Sequence, residues 1–460
     1  MNVKTKNIRM KKYFLIIIST ALLITSCSKQ LDSVDPRNAI PQDQLTDSDI
    51  GKLRNGMYAQ VEIGVFAFAF DFDRRAEDLR GGPGFSLVDP ANMIPSDPAV
   101  LSMWRSAYNR IADVNFLLET LDKSAIVNTE RNTYRGEALY FRALLYYHLV
   151  TRWGGVPLLT KRTFEIVQRS TEAEVWKQIT DDLVAAENLL PDLTNRFFVS
   201  KQAVQSLLAR VYLATNDKAN AIANADKVLT YATNNPTRLA LVTDANGYAT
   251  NFIANTTSRE VVFAFINNNV NSRKLYYQSV NDVDPTWEFS PSLSLFTNLY
   301  ADGTLPTRSG DRRRTAVFSS DNTRIIKFPN GRTGQQLVAT TNADFTPIVI
   351  TRFSEMHLIK AEALGVSTQA ETTLAPYFAA RYNTVPLAGT IAALSTTNFQ
   401  NLLLNERQRE FFGESYRWYD IKRTNRLDLL PSLAGRNYLM LYPIPQTERD
   451  LAGYTQNPLY

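Results

Sequence analysis

Thiols, imidazoles and an excess of one charge are what this 460-residue chain has least of. It holds one Cys and two His. A single Cys excludes a disulfide scaffold and any multi-Cys metal or iron–sulfur site. His148 and His357 both fall inside predicted helices, His148 one turn after Leu144 and Leu145, His357 between Met356 and Leu358, and both read as packed structural residues. No His-x-x-x-His pair, Gly-x-Ser-x-Gly elbow or phosphate-cradling loop is present, and Gly81-Gly82-Pro83-Gly84 lacks the Lys that phosphate binding requires. No metal, cofactor or catalytic residue is therefore expected.

Charge of one sign is missing as well. The chain carries 50 basic and 45 acidic residues, a formal excess of +5. Lys4, Lys6, Arg9, Lys11 and Lys12 supply all of that excess, because residues 1–26 contain no acid. The rest is formally neutral, and its one basic block is Arg312-Arg313-Arg314. A protein that neutralises several phosphates needs a basic face, so nucleic-acid binding is disfavoured. Hydrophobic residues at 44% and charged residues at 21% are those of a globular chain.

What is present begins at the N-terminus. Lys11-Lys12 precede an apolar run from Tyr13 to Ile24, followed by Thr25-Ser26-Cys27. The layout is that of a secretory signal peptide, and the run falls short of the ~20 apolar residues that span a bilayer. Ile24-Thr25-Ser26-Cys27 resembles a bacterial lipobox, which makes residues 1–26 a lipoprotein signal peptide and Cys27 the lipidation site. Residues 27–43 are polar, with Pro36 and Pro41, and suit an extended tether.

From residue 44 to 460 helical periodicity dominates, and the expected fold is mainly α: a tetratricopeptide-like helical repeat scaffold with long loop-rich insertions and a few short strands. The clearest hairpin covers 200–232, with Ala203, Leu207, Leu208, Val211 and Tyr212 on one face and Ala221, Ile222, Ala225, Val228 and Leu229 after a break at Asn216-Asp217. Further helix pairs are predicted at about 49–122, 133–190 and 351–382, with a capping box formed by Thr171 and Glu174. Insertions at about 64–99, 231–258 and 267–346 interrupt them, with strand-like runs at 260–266 and 324–328. Loops of this length in a compact protein usually serve function, so the binding site is placed there.

Most of the 5 Trp, 21 Tyr and 24 Phe must be core. Phe66, Phe68, Phe70 and Phe72 alternate strictly and read as a strand with one buried face. By contrast Tyr276, Tyr277 and Trp287 sit among Asn, Asp, Ser and Pro, where a large ring has no obvious core face, and Phe85 lies in the first insertion. Flat rings with nearby amides and carboxylates suit a neutral sugar, so these four are the candidate ligand contacts. Paired carboxylates, Glu77-Asp78 and Asp71 with Asp73, are the one enzyme chemistry open to a His-poor chain, glycoside hydrolysis.

Several motifs then point to one family, in one order. Leu31-Asp32 and Pro36 follow the lipobox; Tyr134-Arg135-Gly136-Glu137-Ala138 leads through Phe141-Arg142-Ala143 to Arg152-Trp153-Gly154-Gly155-Val156-Pro157-Leu158; Ala209-Arg210-Val211-Tyr212-Leu213 comes next. A C-terminal block over 397–460 holds Asn405-Glu406-Arg407-Gln408-Arg409-Glu410, Arg417-Trp418-Tyr419-Asp420-Ile421-Lys422-Arg423, Tyr442-Pro443-Ile444-Pro445-Gln446-Thr447-Glu448 and Thr455-Gln456-Asn457-Pro458. Along nearly the whole mature chain this resembles the SusD/RagB family, surface lipoproteins of Bacteroidetes that capture glycans or other nutrients. One departure is Gly413-Glu414-Ser415, where the family usually has Phe-Glu-Gly.

The motifs themselves read as architecture: Gly154-Gly155 and Pro157 end a helix, Glu406, Arg409 and Glu410 lie one turn apart and are expected to pair with Arg417 or Arg423, and Tyr442 to Gln446 is expected to be an irregular strap. The resemblance implies a non-enzymatic outer-membrane lipoprotein facing the cell exterior. It would bind an oligosaccharide and act as a lid on a SusC-like TonB-dependent transporter. A peptide ligand, a protein-interaction scaffold and a glycosidase are the alternatives.

Overall fold

In the computed structural model the described residues are 45–66, 68, 71–81, 92–123, 128–253, 258–267, 289–303, 307–322, 325–328 and 346–460. The scaffold is a stack of paired helices: α1 (Asp47–Phe66), α3 (Pro98–Lys123), α4 (Asn128–Trp153), α5 (Glu172–Leu189), α6 (Lys201–Ala214), α7 (Lys218–Asn234), then α11 (Ser354–Leu364) and α12 (Thr368–Arg381). Each packs on the next in that order, so α7 meets α11 directly although the chain between them leaves the stack and returns. This is the order that consecutive helical hairpins require, since each buries its second face only on a neighbour.

Local chemistry sets the boundaries. Ser200 accepts from the Ala203 N–H at the start of α6; Asn216 adopts φ 60°, and Asp217 then caps α7 through the Asn220 N–H. At α5 the capping box forms as the sequence predicts, Thr171 Oγ1 accepting from Glu174 N–H while the Glu174 carboxylate accepts from Thr171 N–H. Gly154 ends α4 at φ 69°, and a Cβ on Gly155 would lie 2.2 Å from the Ser170 carbonyl oxygen, so the turn admits only glycine there.

Between the large helices lie short elements: α2 (Asp71–Arg75), β1 (Arg80–Gly81), α8 (Ala245–Thr250), β2 (Val261–Phe265), β3 (Phe289–Ser290), α9 (Leu293–Asn298), β4 (Ser309–Asp311), α10 (Arg314–Val317), β5 (Ile348–Arg352) and β6 (Tyr382–Thr384). The strands pair antiparallel as β1–β3, β2–β5 and β4–β6. The C-terminal block forms α13 (Thr396–Glu410), α14 (Arg417–Thr424) and α15 (Gln446–Ala452). Residues 442–445 form the expected irregular strap, while Gln446, expected to belong to it, is the first residue of α15; the strap is pinned by Tyr442 N–H to the Arg152 carbonyl at 2.6 Å and Trp153 Nε1 to the Pro443 carbonyl at 3.0 Å.

Three further sequence expectations need correction. Phe66, Phe68 and Phe72 are not strand residues: Phe66 ends α1 and Phe72 lies in α2, while Phe70 lies outside the described residues. The alternation serves a helix–turn–helix corner, in which Phe68 stacks on His148 and Phe72 packs edge-on to Tyr419. The run at 324–328 gives only a bridge, Phe318 to Ile325, with Arg324 itself outside the described residues.

Most consequentially, Glu406 and Glu410 do not pair with Arg417 or Arg423. They form a fully buried ionic hub: Arg313 reaches Glu406 at 3.2 Å and Glu410 at 3.0 Å, Arg308 reaches Glu406 at 2.8 Å, and Arg352 and Arg381 reach Glu410 at 2.5 and 2.8 Å. Glu260 closes the hub by accepting from Arg381. Arg417 faces Asp78 instead, and Arg423 binds Asp420 and Glu362. Burial favours the neutral form of Glu406, but Arg313, Arg308 and Arg409 outweigh it and hold the carboxyl at about 2; Glu410 is likewise held well below the carboxylate range, against burial, by Arg381 and Arg352.

The basic block Arg312-Arg313-Arg314 is engaged within the fold, Arg313 alone in the hub. Arg313 is buried in it, Arg312 donates to the Thr243 and Ala379 carbonyls, and Arg314 donates to the Phe318 carbonyl.

Candidate functional site

Cys27, Phe85, Tyr276, Tyr277 and Trp287 lie outside the described residues. What the structure does place is the roots of the insertions that carry the four aromatics. Gly81 pairs with Phe289, so the segment opening at 82 and the segment closing at 288 leave one small sheet side by side. Phe265 pairs with Ile348, and Asn267 Nδ2 donates to the Thr346 carbonyl at 2.9 Å, which joins the start of the third insertion to its end. Sequence order separates Phe85 from Trp287 by the five long helices α3 to α7, and the β1–β3 pairing brings their flanks together.

Beside β5, where the third insertion rejoins the scaffold, sits a cavity of about 100 Å³. The corner residue Phe68, α4 through His148 and Arg152, Phe252, Phe328, the strand Ile348–Ile350 and the turn Gly413-Glu414-Ser415-Tyr416 all contribute to it. Its lining is mainly apolar and aromatic, with a few polar groups, which is the composition of a small-molecule site. The polar groups are held rigidly. Arg152 donates to Asp71 at 3.0 Å and lies over the rings of Phe68 and Phe72 at 4.4 and 3.8 Å. Glu414 accepts from Lys327 at 2.6 Å and from Arg352 at 2.9 Å, and Ser415, at φ 63°, is fixed by Asp73 through its N–H and hydroxyl. The tripeptide that departs from the family pattern is thus part of the cavity wall.

His148 is a wall residue here, stacked on Phe68 at 4.9 Å with Nδ1 2.9 Å from the Tyr419 hydroxyl. Burial, with Arg152 and Arg210 nearby, drives its basicity well below the ordinary value, so it is neutral at physiological pH. His357 is buried against Phe353 and is pushed down to about 4, chiefly by burial. The paired carboxylates are structural: Asp71 binds Arg152 and Tyr442, Asp73 binds Ser415, Asp78 accepts from Gln408 at 2.6 Å, and Glu77 accepts from the Ser432 N–H at 3.0 Å. Arg210, Phe252, Phe328 and Tyr416 were not singled out as site residues by the sequence reading, although Arg210 lies in a recognised motif, Phe328 in the strand-like run at 324–328 and Tyr416 just before Arg417-Trp418.

Among the described residues no helix is long and apolar enough to cross a membrane. Residues 83–213 match a family model described as "Starch-binding associating with outer membrane", and residues 300–430 match the model of the SusD family. The chain is 25% identical to SusD-like protein P38 of Formosa agariphila over 92% of both chains. It superposes on the crystal structure of a SusD superfamily protein of Bacteroides thetaiotaomicron with a TM-score of 0.70 at 22% identity, over 90% of this chain and 100% of that one. A laminarin-binding SusD-like protein gives a TM-score of 0.66 at 20% identity, over 90% and 100% of the two chains. With family models matching over 83–213 and 300–430 and a mainly helical scaffold like that of the superfamily structures, the chain belongs to the SusD/RagB family.

Proposed function

We propose that the protein is a surface-exposed outer-membrane lipoprotein that binds an oligosaccharide without cleaving it and passes it to a SusC-like TonB-dependent transporter. The carrying observation is the aromatic-lined cavity beside β5, where the third insertion rejoins a SusD-family scaffold. Phe85 belongs to the first insertion and Tyr276, Tyr277 and Trp287 to the third, whose flanks pair as β1–β3, and these four are the proposed ligand contacts. In this reading residues 1–26 are removed, Cys27 carries the lipid, and 27–43 tether the remaining SusD-like domain, 44–460, above the membrane. The formal neutrality of the mature chain suits uncharged cargo, and a relative of the same fold is a laminarin binder.

Binding without cleavage rests on the commitments already described: His357 is buried, His148 is packed in the cavity wall, both are neutral, and Asp71, Asp73, Asp78 and Glu77 each hold a neighbouring element. The ligand class is tested by probing residues 28–460 on a glycan array and on a peptide array in parallel. Retention on one family of oligosaccharides is the expected result; retention on peptides alone would replace the sugar with a peptide while leaving the transport role intact.

A further inference from the structure

A second cleft lies on the far side of the wall that Arg210, Tyr416 and Tyr419 form for the first cavity. It measures about 220 Å³ and belongs to the helical scaffold and C-terminal block, away from the insertions. Its floor is the stacked pair Tyr147 and Tyr419, ring centres 4.9 Å apart, and Trp176 stands edge-on to Tyr147 at 5.8 Å. Glu172, exposed at the start of α5, marks its mouth and accepts from Trp176 Nε1 at 3.3 Å.

Four cations line this cleft, Arg210, Arg407, Lys422 and Arg423, against Glu172 and Asp420. Two of the four are fully engaged, Arg210 by Glu355 and Arg423 by Glu362 and Asp420. The other two are not. Arg407 binds Asp420 through Nε at 2.7 Å and faces Glu355 through Nη2 at 3.6 Å, but its Nη1 is buried with no hydrogen-bond partner among the described residues. Lys422 donates only to the Val150 and Thr151 carbonyls, at 3.4 and 3.1 Å, and no carboxylate lies within ion-pair distance of it among the described residues. Burial lowers Lys422 to about 8, against the attraction of Glu172, so its ammonium is charged at neutral pH yet incompletely compensated. A buried unpaired donor is costly, and an anion entering from the mouth would meet the free Arg407 Nη1 and the half-buried Lys422 ammonium together.

We infer that this cleft is a second binding site, separate from the insertion site, for a carboxylate-bearing ligand of monosaccharide size. The carboxylate accepts from Arg407 Nη1 and Lys422 Nζ, and Trp176 and the Tyr147–Tyr419 pair receive the ring. The volume accommodates a single ring. The site does not rest on the oligosaccharide reading, since none of its residues belongs to an insertion.

The test is titration calorimetry of the chain from residue 28 with D-glucuronate, D-glucose and acetate. Glucuronate is expected to bind, acetate more weakly, and glucose not at all at this site. Lys422→Gln is expected to weaken glucuronate by ~10-fold or more, as loss of one charge-assisted bond does. Because Lys422 also holds the end of α4, Trp176→Ala provides a second variant, expected to weaken glucuronate while leaving acetate unchanged and the thermal melt within a few degrees. No glucuronate binding by the folded parent, equal binding of glucose, or binding untouched by both variants would each overturn the site.

Discussion

Glu410 is the residue on which most of the C-terminal architecture converges. Arg313, Arg352 and Arg381 all donate to its carboxylate, and none of the four side chains is more than marginally exposed. Removing one member of such a buried set strands the others without compensation, at a cost of ~3–5 kcal/mol. Glu410→Gln should therefore lower the urea midpoint sharply, measured by circular dichroism. Glu406 supplies a pH signature. Its carboxyl is lowered from an ordinary 4.5 to about 2, so its stabilisation is present above pH 4.5 and is lost as pH falls towards 2. The Glu406→Gln variant should lose less stability than the parent across that window; equal acid sensitivity would show that the hub does not titrate this way. The sequence marked Glu406 and Glu410 as structural but assigned the wrong partners. Arg417 and Arg423 were chosen for nearness in the chain, whereas Arg313 and Arg381 come from 97 and 29 residues away, a closure that only the packed fold specifies.

The α5 capping box shows how much an element can owe to four residues. Thr171 and Glu174 exchange both bonds, so Thr171→Ala should destabilise the protein by ~1 kcal/mol, seen as a shift in denaturation midpoint at unchanged slope. Such local signals made the helices legible: caps, the Asn216 break and the Gly154-Gly155 stop are all within a few residues of the boundaries they set. The Phe66-to-Phe72 alternation misled because period two over four residues fits a strand and also fits a corner where one helix ends and another begins. Only the rings beneath it, Trp418, Tyr419 and Tyr442 around Phe72, distinguish the two.

For the whole molecule, what the sequence conveyed was the scaffold and its family, and what it could not convey was the cavity. Its wall draws on α1, α4, α6, β5 and the turn before α14, with Phe252 and Phe328 from the insertions, and no spacing along the chain encodes that convergence. The formal charge of +5 is likewise a property of the N-terminal 26 residues and not of the scaffold. If Cys27 is the anchor, Cys27→Ser should move the protein out of the membrane fraction and abolish fatty-acid labelling; unchanged fractionation would remove the lipoprotein reading. The central claim, that the first and third insertions hold an oligosaccharide, is tested most directly by titrating the array-selected oligosaccharide into the chain from residue 28 and into its Trp287→Ala variant. Loss of one stacking ring should weaken binding by ~10-fold or more, about 1.4 kcal/mol, with the melting temperature unchanged. Equal affinity in the two proteins would contradict it.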